Sequence, residues 1–193
     1  MPYLIGMAGP TCSGKTMVCT LLAERTGAEY ISQDSFFVDK ELYPEYGGFA
    51  NMDTPNAVKF DMLYDALKAL KDGRPAEIPI YDKVESRVTG TRTAYPRNLL
   101  LVEGFLLFYD PRIAYIFDKK FYMDVQADVQ RARRAVRGVH ADVAYFEEVV
   151  IPMFDLHGAT ARDIADHVIL SDRPLETLAD EIERKIIEGR QVV

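Results

Sequence analysis

The sequence predicts a three-layer α/β fold with helices on both faces of a parallel five-stranded sheet, and three observations predict it. First, GPTCSGKT, Gly9 to Thr16, follows directly on an apolar run containing Tyr3, Leu4, Ile5 and Met7. Second, short apolar runs alternate with segments of helical period along the chain, as strands joined by crossover helices do. Third, Asn98-Leu99-Leu100-Leu101-Val102 is the most continuous apolar run and suits a central parallel strand buried on both faces.

The elements follow in order. Tyr3 to Met7 reads as a buried strand, and Thr16 to Arg25 places Val18, Leu21 and Leu22 at helical spacing before Gly27 ends the helix. Glu29-Tyr30-Ile31 is a second strand running into SQDSFF, and Pro55 to Lys71 carries a helical pattern stopped by Gly73. Ala76 to Thr93 holds two short β-prone pieces, EIPIYDK and SRVTGT, expected as a small hairpin that covers a bound substrate. The strand LLLV ends in Glu103-Gly104, and Lys120 to Val125 is the next strand. QADVQRARRAVRG is a helix with four arginines, followed by an expected mobile segment at Gly138 to Asp142. A helix at Val143 to Leu156, a strand at His167 to Leu170 and a helix from Pro174 to about Glu188 complete the chain. Neither internal repeats nor low-complexity tracts occur. The expectation is a single domain over 1–193, with a hairpin insertion at about 76–93 and a lid at about 131–145.

Composition narrows the function. Hydrophobic residues make up 48% and charged residues 27%, as in ordinary globular domains, and the net charge of −7 disfavours a broad nucleic-acid footprint or an anionic membrane surface. The two cysteines, Cys12 and Cys19, lack metal-ligand or CxxC spacing, which fits a reducing compartment. His140, His157 and His167 also lack metal-ligand spacing. No apolar run has the length of a membrane span, and the N-terminus lacks the basic start of a signal peptide, so the expected location is cytoplasmic.

GPTCSGKT has the GxxxxGK[ST] spacing of a phosphate-binding loop in the context that loop requires, between a strand and a helix. Unpaired N–H groups and the positive end of the helix dipole favour an anion there. The expected nucleotide-binding set is Gly9, Thr11, Cys12, Ser13, Gly14, Lys15 and Thr16, with Gly9 and Gly14 letting the chain curl without Cβ clashes. Lys15 meets the β- and γ-phosphates of ATP or another nucleoside triphosphate, and Thr16 ligates magnesium. Asp34 emerges at the carboxyl ends of the strands, where ligands of parallel sheets bind. On spacing alone it has two readings: a carboxylate that orients a hydroxyl and accepts its proton, or the cap of a turn. Glu103 is read as a magnesium residue, directly or through water, against a solvated strand end.

Taken in order, ISQDSFF, Asp53 in NMDTP, IPIYDKVESR and LLLVEGFLLFYD resemble the successive motifs of uridine kinases within the phosphoribulokinase and uridine kinase group, over nearly the whole chain. ISQD with EGFLLF is also similar to nicotinamide riboside kinase. The resemblance implies a P-loop NTPase fold, Asp34 as catalytic base beside the metal, and Asp53 on the ribose hydroxyls. It further implies Thr16 and Glu103 at Mg2+, Arg134 and Arg137 approaching the phosphates from a lid, and Tyr81, Arg87 and Tyr145 at the substrate. On charge pattern alone RARRAVR also reads as a solvated helix face.

Departures cluster in the base pocket. Lys83 stands where uridine kinases carry an aromatic residue, their following histidine is missing, Ala144 replaces a base-reading glutamine, and the lid is short. Tyr145, free to stack on a ring, and the short lid look more like nicotinamide riboside kinase. Tyr81 and Tyr145 also read as core aromatics. The expected activity is ATP-dependent phosphorylation of a ribonucleoside 5′-hydroxyl, with uridine or cytidine the default and nicotinamide riboside or another small alcohol the alternatives. The alternative outside the kinases is an ATPase or GTPase switch, although no NKxD-type guanine motif is present. The expected partner is a small nucleoside, with self-association left open.

Overall fold

The computed structural model describes residues 1–137 and 142–190. Most of the segment expected to be mobile, His140, and part of the 131–145 lid therefore lie outside the described residues.

Five strands, β1 (Tyr3–Ala8), β2 (Glu29–Ser32), β7 (Leu99–Gly104), β8 (Lys119–Asp124) and β9 (His167–Leu170), form one parallel sheet in the order β2-β7-β1-β8-β9. This agrees with the three-layer α/β expectation. The other four strands form two small antiparallel hairpins, β3 (Glu45–Tyr46) with β4 (Phe49–Ala50) and β5 (Ala76–Asp82) with β6 (Arg87–Ala94).

Side chains alternate across a strand, so β1 divides its apolar residues between two cores. Leu4 and Ala8 face the cluster that includes Ile31, Leu100, Val102 and residues Leu63, Leu67 and Leu70 of α2 (Phe60–Lys71). Ile5 and Met7 face the opposite cluster, closed by Val18, Cys19 and Leu22 of α1 (Lys15–Thr26) and by Ala179, Ile182 and Ile186 of α7 (Leu175–Arg190). Register aligns the strand ends: Met7 lies beside Glu103 and Phe121, and Ser32 lies beside Glu103. The loop after β1, the turn after β2 and the end of β7 therefore share one edge.

Several local expectations change. The helix expected from Pro55 begins at Phe60, because Val58 is drawn into an antiparallel bridge with Phe37 and Lys59 N–H donates to the Phe36 carbonyl at 2.8 Å. The short helix α3 (Pro111–Ile116), capped by the Asp110 side chain, and the Gly47-Gly48 hairpin escaped the pattern reading. Helix α4 spans Ala127–Ala135, and the helix expected from Val143 is α5 (Val143–Tyr145), a π-helical stretch at Phe146–Val150 and α6 (Ile151–His157). No helix among the described residues is long and apolar enough to cross a membrane.

Candidate active site

A cleft of about 810 Å³ opens at the carboxyl edge of the sheet, lined by the 11–18 segment and by Asp34, Asp53, Lys83, Glu103, Arg134 and Tyr145 among others. Gly14 adopts φ +88° with open space around it, so its requirement is conformational, as expected. Gly9 has two reasons. Its φ of +146° is also one that residues with a Cβ rarely adopt, and a Cβ there would stand 2.4 Å from the Met123 carbonyl oxygen, so Gly9 serves both the turn and close packing on β8.

Lys15 is buried, and its Nζ donates to the Gly9 and Pro10 carbonyls at 2.8 Å each and to Ser13 Oγ at 3.3 Å. The ammonium thus sits inside the loop it belongs to. Burial lowers its pKa, opposed by the charges of Glu103 and Asp34. An arriving phosphate would favour the charged form further, as a nearby anion does.

Helix α4 and the turn that follows it grip the loop from outside. Gln130 Nε2 donates to the Thr11 carbonyl at 3.1 Å, Arg133 to the Cys12 carbonyl at 3.1 Å, and Arg137 to Thr11 Oγ1 at 3.1 Å. Arg134 faces elsewhere: its guanidinium lies 5.3 Å from the Phe146 ring centroid, and its buried Nε has no hydrogen-bond partner among the described residues. Of the two arginines expected at the phosphates, Arg137 reaches the loop and Arg134 packs on Phe146. Arg133 and Gln130 were missed.

Glu103 closes β7 and is buried. Its Oε1 accepts from Ser32 Oγ at 2.7 Å, Tyr30 OH at 3.0 Å and Thr16 Oγ1 at 3.4 Å. It is therefore no solvated strand end. Burial, reinforced by Asp34, raises its pKa. Two carboxylates and a threonine hydroxyl here match the oxygen donors a hard divalent cation takes, and the cation would relieve the cost of burying Glu103 beside Asp34. Magnesium fits, with its remaining ligands coming from nucleotide and water. Among the described residues no cluster of three His, Cys, Asp or Glu side chains forms a cage by itself.

The turn after β2 is capped by Ser32, whose Oγ accepts from Asp34 N–H at 3.2 Å. The Asp34 carboxylate is thereby spared the capping role and instead accepts from Lys83 Nζ at 2.7 Å. Gln33 locks the same turn to β7, its fully buried Oε1 accepting from Leu106 N–H at 3.0 Å.

Across the cleft, Asp53 Oδ2 accepts from Tyr145 OH at 2.7 Å, and the same hydroxyl accepts from Met52 N–H at 3.1 Å. Burial pushes Asp53 up to about 6 against the opposing pull of the Tyr145 hydrogen bond. The Tyr145 ring packs edge-on to Phe49, 5.7 Å between centroids. Tyr81 and Arg87 do not line the cleft. Tyr81 packs on Phe37 at 5.5 Å with its hydroxyl bonded to Tyr43, and Arg87 pairs with Glu85. Lys83 and Ser86, from the turn between them, take the cleft positions instead.

Comparison with known proteins places this geometry. The family model of the Phosphoribulokinase / Uridine kinase family matches residues 4–145. Uridine-cytidine kinase 2-B of Danio rerio is 32% identical over 191 residues, covering 87% of this chain and 72% of that protein. Uridine kinase of Clostridium perfringens is 31% identical, covering 97% and 96%. The chain spans only 39% and 37% of two longer Arabidopsis thaliana relatives. A solved chain described as a possible uridine kinase from Bacillus stearothermophilus shares the fold, with a TM-score of 0.66 at 18% identity over 87% of this chain and 88% of that one. The phosphate loop, the SQDSFF turn and the end of β7 all fall inside the matched region, and the chain belongs to the phosphoribulokinase and uridine kinase family of ATP-dependent phosphotransferases.

Proposed function

We propose that this protein transfers the γ-phosphoryl group of ATP to the 5′-hydroxyl of a ribonucleoside, with uridine and cytidine the leading acceptors, as a single kinase domain in the cytoplasm. The observation that carries the proposal is the pair of carboxylates, Asp34 and Asp53, lining one cleft with Lys15 and Thr16. The relatives named as uridine kinases support the choice of acceptor.

The loop N–H groups, Lys15 and Arg137 hold the β- and γ-phosphates, where fixed donors offset the charge that spreads over the transferring oxygens. Asp34 orients the acceptor hydroxyl and takes its proton. The oxygen bonds to the γ-phosphorus while the bond to the bridging oxygen breaks, its electron pair leaving on ADP. Asp53 accepts from the ribose diol, in place of the Tyr145 hydroxyl. Magnesium would be held by Thr16, Glu103 and Asp34 and would supply charge neutralisation on the phosphates.

The base side is built from Phe37, Met52 and Phe105, and Ala144 is exposed. An apolar wall discriminates by only about 1–3 kcal/mol, so the choice of base is loose and nicotinamide riboside remains an acceptor. The test is a panel of uridine, cytidine, nicotinamide riboside and their 2′-deoxy forms with ATP and Mg2+. Ribosides should be converted and deoxyribosides poorly. A preference for uridine above about 10³-fold, beyond what such a wall supplies, contradicts the loose pocket.

A further inference from the structure

The turn joining β5 to β6 carries four charged residues, and three of them are satisfied locally. Asp82 Oδ1 accepts from Val84 and Glu85 N–H at 2.8 and 2.9 Å, and Arg87 Nε donates to Glu85 at 2.6 Å. Lys83 ignores both neighbouring carboxylates and reaches out of the hairpin to Asp34. Its placement is fixed by the fold rather than by the turn alone. Val88 N–H donates to Asp39 Oδ1 at 2.9 Å, Lys40 N–H donates to the Ser86 carbonyl at 2.9 Å, and Tyr81 meets Tyr43 and Phe37. The hairpin is thus pinned to the segment that follows Asp34, which holds a cation against the carboxylate that serves as base.

We propose that Lys83 is a positioning residue that caps Asp34 in the acceptor-free cleft and so suppresses transfer of the γ-phosphoryl group to water. The inference rests on Asp34 being the base of the proposed reaction. In the reaction it suppresses, a water oxygen bonds to the γ-phosphorus and its proton passes to Asp34. The bond from phosphorus to the bridging oxygen breaks with its electron pair on ADP. With Lys83 Nζ on Oδ2, the carboxylate is occupied and a water cannot be aligned by it. The side chain is half exposed, and its flexible four-carbon stem can swing aside when an acceptor hydroxyl arrives. The capped form is not binding-competent, so the cap lowers the apparent affinity for the acceptor.

The experiment compares wild type, Lys83→Met and Lys83→Arg, measuring ATP hydrolysis without acceptor, then kcat and KM for uridine. A half-exposed ion pair supports an effect of about two- to fivefold. Lys83→Met should raise acceptor-free hydrolysis by that factor and lower the KM for uridine, and Lys83→Arg should restore both towards wild type. Hydrolysis that is unchanged or falls, or a KM that rises, overturns the proposal, because Lys83 would then be a surface pair, a phosphate ligand or an acceptor ligand. Melting temperature controls for folding, and Lys83→Gln replaces the methionine variant if that one is unstable. Failure of wild type to phosphorylate any riboside refutes the proposed function instead, while the hydrolysis comparison stays readable.

Discussion

Replacing Asp53 with asparagine should stabilise the protein above neutral pH while damaging acceptor binding. Asp53 is pushed from 3.8 up to about 6 by burial, so the folded state keeps a proton that the unfolded chain has lost. The sign follows: no penalty exists well below 3.8, stability falls as pH rises between the two values, and the full penalty applies above 6. A displacement of this size corresponds to about 3 kcal/mol as an upper bound. Asp53 lines an open cleft that water enters, so about 1–2 kcal/mol is the expected magnitude. Asparagine imitates the neutral form and still accepts from Tyr145 OH. Urea unfolding of both proteins at pH 5 and pH 8 is the assay, since comparison with wild type cancels the other titrating groups, Glu103 among them. More than half of the penalty is already present at pH 5, so the variant should gain about 0.5–1 kcal/mol on wild type between the two pH values, and its kcat/KM for uridine should fall with ATP binding intact. A pH-independent difference would refute the reasoning.

Three further outcomes are expected. Lys15→Ala should remove most phosphoryl transfer, read as product formation at saturating ATP, because the γ-phosphate loses the charge held in the loop. Asp34→Asn should lower kcat by about 10²–10⁴ with ATP binding nearly unchanged by calorimetry, the usual range for a positioned base. Glu103→Gln should raise the magnesium concentration giving half-maximal activity, and an unshifted titration would remove Glu103 from the metal site.

The geometry of the loop side of the cleft was legible because the constraints there are local in sequence. A loop between strand and helix, and a carboxylate at the end of an apolar strand, declare themselves by spacing. Contacts made across long separations did not. Lys83 meets Asp34 over 49 residues, and the register shift between Ile80 and Tyr81 interrupts the period-two pattern by which a hairpin's faces are read. The arginines of α4 show the same limit. A helix turns about 100° per residue, so Gln130 and Arg133, three apart, share the face that meets the loop, while Arg134 turns to Phe146. Spacing three apart was the available signal for Arg133 with Gln130. For Asp34, the alternative of a turn cap was settled by Ser32 taking that role two residues earlier, which the sequence SQD permits but does not compel.

The most direct test of the central claim is phosphorus-31 NMR of the products formed from ATP, Mg2+ and uridine. The account predicts a 5′-monophosphate ester accumulating in step with ADP, one for one. Inorganic phosphate appearing alone, with uridine and every other riboside unchanged, would contradict it.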